Sequence, residues 1–211
     1  MQFFKIHPDN PQARLISQAA AIIRNGGVIA YPTDSCYALG CQIGEKAAME
    51  RIRQLRQLDK DHNFTLVCRD LTEIAIYARV DNTAFRLLKA LTPGPYTFIL
   101  PATRDVPRRL QHPKRKTIGL RVPDNTIAQA LLEALGEPLM SVTLVMPGDD
   151  LPLTDPEEMR AVLDKNVDLI VDGGYCGYEA TTVLELVDDV PVVARKGKGD
   201  ITFLETKILN A

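Results

Sequence analysis

Metal-binding residues are scarce in this chain of 211 residues. It has three histidines (His7, His62, His112) and four cysteines (Cys36, Cys41, Cys68, Cys176), with no C-x-x-C pair. That excludes the common zinc spacings, and no metal held by protein ligands is expected. The thiols read as reduced and mostly buried, as in a cytoplasmic protein. No apolar run reaches the roughly 18 residues of a membrane span, so no membrane partner is expected. The N-terminal stretch MQFFKIHPDNPQAR has neither the basic start nor the apolar core of a signal peptide. An excess of one charge is also missing, with 25 basic and 27 acidic residues giving a net charge of −2. A globally basic nucleic-acid binder is not indicated, but a local basic patch fits these totals. The chain lacks G-x-x-x-x-G-K-[ST], a helix-opening G-x-G-x-x-G and the G-x-S-x-G elbow. Common nucleotide fingerprints and a lipase-type nucleophile are thereby excluded.

What is present is ordinary for a globular protein. Apolar residues make up 45% and charged residues 25%, with 13 glycines and 14 prolines, which argues against disorder, collagen-like structure and a coiled coil. A chain this long buries about 70% of its unfolded surface without disulfide or metal.

Strand and helix patterns alternate. Asn10 as cap, Pro11 at the first helical position and the stop at Gly26-Gly27 frame a helix with Leu15, Ala19, Ile22 and Ile23 on one face. Segments 28–31, 64–68, 96–100, 117–122, 139–146, 167–171, 182–187 and 190–194 read as strands. Helices are expected over 46–57, after Asp81, after Asp124 up to Gly136, and from Thr154 or Asp155 with Pro156 at the first position. The alternation predicts α/β with a mixed sheet, and the short loop 147–154 is too small a linker to divide one domain into two.

Four clusters carry chemistry-bearing residues. Tyr31 to Gly40 runs from a strand through Pro32 into Thr33, Asp34 and Ser35, a polar turn that suits a ligand wall or merely its own caps. Arg104 to Arg121 holds seven cations against Asp105, which suits phosphates or a solvated loop. Asp172 to Gly177 is glycine-rich and precedes Thr181-Thr182, and Arg195 to Gly199 combines cations with glycine. Cys36 and Cys176 have no histidine nearby in sequence, so no catalytic residue is assigned.

Together these strings resemble the YrdC/YciO family, most closely its YciO branch. The carriers are GGVIAYPTDSCYALGC (26–41), TPGPYTFIL (92–100), TIGLRVPDN (117–125), VDLIVDGG (167–174), TTVLEL (181–186) and VVARKGKGD (192–200). The resemblance implies a single domain over 1–211, built as an open, twisted mixed sheet with flanking helices and a concave basic face. It implies binding of double-stranded RNA or tRNA and of adenine nucleotides. It also implies synthesis of L-threonylcarbamoyladenylate from threonine, bicarbonate and ATP, the step that feeds threonylcarbamoyladenosine modification of tRNA. Magnesium on the ATP phosphates is expected. Longer family members add a C-terminal domain, which this chain is expected to lack.

Carried over by motif, Thr33, Arg121, Thr181, Thr182 and Arg195 stand at substrate- or nucleotide-binding positions. Two motifs depart from the synthase pattern. The Lys-x-Arg-Pro string reads Arg56-Gln57-Leu58-Asp59, so Arg56 keeps the first cation and Leu58 loses the second. The Ser-x-Asn string reads Thr143-Leu144-Val145, keeping the hydroxyl and losing the amide. Losing one charge-assisted and one neutral hydrogen bond costs roughly 2.5–4 kcal/mol, or about 10²- to 10³-fold. The expected function is RNA and ATP binding with weak or altered synthase-type activity. The alternative is a non-catalytic double-stranded-RNA or ribosome-associated binding protein. RNA contacts are expected from Arg108, Arg109, Lys114, Arg115 and Lys116.

Overall fold

The structure is a computed structural model describing residues 1–59, 62–188 and 190–204. Its elements run β1 (Gln2–Lys5), α1 (Ala13–Arg24), β2 (Ile29–Tyr31), β3 (Ala38–Gln42), α2 (Lys46–Arg56), β4 (Thr65–Val67), α3 (Leu71–Tyr77), α4 (Asn82–Leu91) and β5 (Tyr96–Pro101). A 3₁₀ turn (Arg108–Leu110) precedes β6 (Thr117–Arg121), α5 (Thr126–Leu135), β7 (Leu139–Thr143), α6 (Pro156–Val162), β8 (Leu169–Asp172), β9 (Thr182–Glu185) and β10 (Val192–Arg195).

All ten strands form one open sheet, ordered β1-β8-β2-β3-β7-β4-β6-β5-β9-β10. Pairs β1/β8, β2/β8, β4/β6 and β5/β9 are parallel, and the other neighbours are antiparallel. The mixed α/β sheet expected from the sequence is what forms.

Several helix starts differ from expectation. Helix α1 begins at Ala13, not Pro11, because the His7 ring accepts from the backbone N–H of Asp9 and Asn10 and holds them outside it. Asn125, not Asp124, caps α5, accepting from the Ala128 N–H at 2.9 Å, and Gly136 ends the helix at φ 77°. Asp81 and Asp155 cap α4 and α6 as expected, and Pro156 opens α6. Strand β1, strand β3 and helix α3 have no counterpart in the sequence reading. The polar turn after β2 is only 32–37, and the chain then re-enters the sheet as β3.

Period-two alternation sorts each strand between two layers. One face packs Leu39, Leu66, Phe98, Leu100, Ile118, Leu120, Met140 and Leu184 against Ala48, Ile52, Ile74, Leu88 and Met159 of α2, α3, α4 and α6. On the other face, α1 and α5 pack together and cover Ile29, Tyr31, Leu139, Leu169 and Val171. Those two helices span only part of that face. Beyond Leu139 and Val67, the face over β7, β4, β6, β5 and β9 lies open.

Candidate functional site

The open half of the sheet is the floor of a cavity of about 590 Å³. Its floor is what alternation leaves opposite the sealed core: Thr65 and Val67, Thr97 and Ile99, Thr117, Gly119 and Arg121, Ser141 and Thr143. Register brings these scattered residues into rows. Ser141 pairs Thr65, Thr65 pairs Gly119, and Gly119 pairs Ile99. A Cβ on Gly119 would stand 3.3 Å from Thr65 Oγ1, so glycine keeps the middle of the floor low. Tyr31 closes the covered end, its hydroxyl 2.9 Å from Ser141 Oγ. Burial pushes that phenol up to about 12.

Cations stand at both ends. Because β4 and β6 are parallel, the segments entering them lie together, and Arg56, His62, His112 and Arg115 line that end with Thr143. Arg121 ends β6 about 13 Å along the strand from Thr117, by the strand rise of about 3.3 Å per residue, and Thr97, Thr181 and Arg195 also line the wall, with Ser35 on the turn that the Arg121 guanidinium reaches. Arg195 donates from Nη2 to the Thr181 carbonyl at 2.9 Å and to its hydroxyl at 3.2 Å. The Thr181 and Thr97 hydroxyls are 2.8 Å apart. Arg121 is buried, paired with Asp34, and donates to Ser35 Oγ at 3.2 Å. Even so, Arg121 Nε, Asp34 Oδ2 and Arg56 Nε are buried with no hydrogen-bond partner among the described residues. Burial alone lowers the Arg56 pKa from its usual value. Desolvation, then Arg56 and Arg53, lower that of His62. Asp150 is the one acid among the described lining residues.

The motif residues divide. Arg56, Arg121, Thr143, Thr181 and Arg195 all line this cavity. Thr33 does not. Its hydroxyl donates to the Cys36 carbonyl at 2.6 Å and accepts from the Ser35 and Cys36 N–H groups, which builds the turn rather than the wall. Thr182 points to the sealed side, bonding the Gly199 carbonyl at 2.6 Å and the Gly197 N–H at 3.0 Å. Leu58 packs against the core, whereas Val145 faces the cavity.

The basic segment is not one patch. Arg121 is inside the cavity, and Arg115 lines its edge paired with Glu185. Arg108, Arg109, Lys114 and Lys116 are exposed, Arg109 donating to the Gly44 carbonyl and Lys116 to that of Pro113. Thr65, Thr97, Thr117, Ser141, His62 and His112 were not expected from the sequence. The signal of the four hydroxyl residues is a polar position alternating with apolar ones in a strand, whereas His62 and His112 lie before β4 and β6 and carry no such signal.

Neither cysteine of the polar clusters is set up as a nucleophile. Burial holds the Cys36 thiol above its usual pKa despite Arg121, and pushes Cys176 up to about 11. Among the described residues no group of His, Cys, Asp and Glu is placed to hold a metal, and no helix is long and apolar enough to cross a membrane.

An open α/β sheet whose hydroxyl-bearing face is flanked by arginines has the chemistry that suits small anions. The particular family follows from comparison. The Sua5/YciO/YrdC family model, described as telomere recombination, matches residues 21–197, and the chain belongs to this family. It is 64% identical over 200 residues to YciO of Escherichia coli K12, covering 95% of this chain and 97% of that one. The crystal structure of E. coli YciO matches with a TM-score of 0.91. A threonylcarbamoyl-AMP synthase of Nitrosococcus oceani is 36% identical over 156 residues, 74% of this chain and 83% of the synthase. P. abyssi Sua5 complexed with L-threonine matches with a TM-score of 0.89 at 25% identity, over 99% of this chain and 61% of that one.

Proposed function

We propose that this chain binds ATP and L-threonine in the open cavity and double-stranded RNA or tRNA on its basic surface, in the cytoplasm. Its L-threonylcarbamoyladenylate synthase-type activity is weak or altered. The observation that carries this reading is the convergence of Arg56, Arg115, Arg121 and Arg195 around a hydroxyl floor, in a cavity of ligand size. Kinship with threonylcarbamoyl-AMP synthases supports the same reading.

In this chemistry the threonine amine takes up bicarbonate to give a carbamate, with loss of water. A carbamate oxygen then attacks the α-phosphate of ATP, and pyrophosphate leaves. Arg121 and Arg195 suit a carboxylate at one end, and Arg56 and Arg115 suit phosphates at the other. Held together, the two reactants gain from proximity and from fixed charge. Magnesium would neutralise the phosphates, and one carboxylate with waters suffices to hold it there. Asp150, which lines the cavity, would be that carboxylate. Arg108, Arg109, Lys114 and Lys116 face solvent and suit RNA phosphates.

The departures at Leu58 and Val145 set the expected weakness. The test is pyrophosphate release from ATP with threonine and bicarbonate, in the parent and in Arg56→Lys/Leu58→Arg/Val145→Asn. Restoring half of the lost interactions should raise the rate about ten-fold, and the gain should require both threonine and bicarbonate. A folded triple variant no faster than the parent contradicts the weakness argument. If the parent binds RNA but neither ATP nor threonine, it is a binding protein without this chemistry.

A further inference from the structure

Two tyrosines, Tyr178 at the lip of the cavity and Tyr175 just outside it, stand out against the packing of everything around them. Tyr175 and Tyr178 are 78% and 66% exposed, in the loop from β8 to β9. The loop itself is pinned. The Tyr37 hydroxyl donates to the Gly174 carbonyl at 2.7 Å and accepts from the Gly173 N–H at 3.1 Å. The Cys176 thiol donates to the Thr33 carbonyl, and its N–H to the Thr154 carbonyl. A Cβ on Gly177 would come within 2.9 Å of the Ser35 carbonyl, so the backbone sits hard against the turn after β2. A braced loop thus holds two large rings in solvent. Among the described residues neither ring stacks on another aromatic, and the one hydrogen bond of the two hydroxyls is Tyr175 to Asp155 at 3.2 Å.

A short basic strip adjoins them. The 195–199 segment packs on the same loop, with the Lys198 N–H donating to the Ala180 carbonyl and the Lys198 amine to that of Asp34. It presents Arg195, Lys196 and Lys198, all exposed. The acids near this rim include Glu179, Asp155 and Asp200; Asp155 is engaged capping α6 and accepting from Tyr175, and Asp200 accepts from Thr202. Rigid exposed aromatics next to a short basic strip are the components that stack unpaired bases and track their phosphates.

We propose that Tyr175 and Tyr178 form a stacking platform for unpaired RNA bases, with Lys196 and Lys198 taking the adjoining phosphates. The inference rests on the reading that the chain binds RNA, and it names which part of the RNA this rim takes: single-stranded nucleotides, such as those of a hairpin loop, rather than duplex.

The test is fluorescence anisotropy with a labelled hairpin carrying an unpaired loop and with a fully paired duplex of equal length. The proteins are the parent, Tyr175→Ala/Tyr178→Ala and Tyr175→Phe/Tyr178→Phe, with thermal melting to check fold. The alanine pair should lose about ten-fold or more in affinity for the hairpin, little for the duplex. The phenylalanine pair should stay near the parent, because stacking needs the ring and not the hydroxyl. The salt slope should be unchanged in both, since no phosphate contact is removed. Equal hairpin binding by parent and alanine pair overturns the proposal, as does an equal loss on the duplex. An equal loss in the phenylalanine pair overturns it too. If ATP binding falls by the same factor as hairpin binding, the rings serve a free nucleotide and the RNA proposal is wrong. A parent that binds neither RNA removes this inference and the RNA part of the proposed function together, whereas an effect-free alanine pair removes this inference alone.

Discussion

The two faces of β4, β6 and β5 are made by the same three strands and have opposite characters. On one, Leu66, Phe98, Leu100, Ile118 and Leu120 are sealed under helices. On the other, Thr65, Thr97, Thr117 and Gly119 floor an open cavity. Over these strands the sealed face contributes most of the close-packed core, and apart from Val67 the other face is free to carry chemistry. The difference teaches that this part of the sheet is held from one side and used from the other.

The comparison breaks most severely in the sealed layer. Phe98→Ala should cost about 3–5 kcal/mol of stability, by transfer and cavity terms together. Its sequence neighbour on the other face, Thr97→Ala, removes one neutral hydrogen bond to Thr181 and should cost about 1 kcal/mol. Denaturant melts of both variants check the pair, and similar costs would mean that the open face is as structural as the sealed one.

The ion pairs sharpen the contrast within the cavity. Arg121 and Asp34 have side chains only 10% and 9% exposed, so Arg121→Met strands a buried carboxylate and should cost about 3–5 kcal/mol. Arg115, 45% exposed opposite Glu185, should cost less than about 1 kcal/mol on change to alanine. Both should weaken anion binding. Parallel measurements of melting and ATP affinity separate the two effects.

Alkaline pH probes the covered end of the sheet. Burial pushes the Cys41 thiol and the Tyr31 phenol each up to about 12. Both folded pKa values lie above the unfolded ones, so both contributions are complete below about pH 9. They fade as pH rises through about 12, with a slope of about 1.4 kcal/mol per pH unit for each group. Cys41→Ala should flatten the part that begins near pH 9, measured by denaturation at a series of pH values.

The order and type of most elements were legible because their signals are local. Caps at Asp81 and Asp155, the stop at Gly136 and the apolar runs of the strands each lie within a few residues. Two elements hid behind their composition. The string from Tyr31 to Gly40 reads as one polar turn, yet Tyr37 is buried and the chain from Ala38 onward pairs as β3. Asp124 and Asn125 are both good caps, and only the backbone direction selects Asn125. The arginines of the site were legible through motif resemblance. Its floor was not, because Thr65, Thr97, Thr117 and Ser141 lie far apart in sequence and meet only through register. Thr33 and Thr182 show the converse: both belong to specific motifs, and both spend their hydroxyls on neighbouring backbone.

The most direct measurement is calorimetric titration of ATP and of threonine into the parent and into Gly119→Val. Valine suits a strand, and its Cβ would meet only the movable Thr65 and Thr97 side chains and the Thr65 Cα at 4.0 Å, while its methyls rise into the middle of the cavity. If the open face is the ligand site, the variant should melt near the parent and bind both ligands at least about ten-fold more weakly. A folded variant that binds ATP and threonine as the parent does would place the site elsewhere and contradict the account.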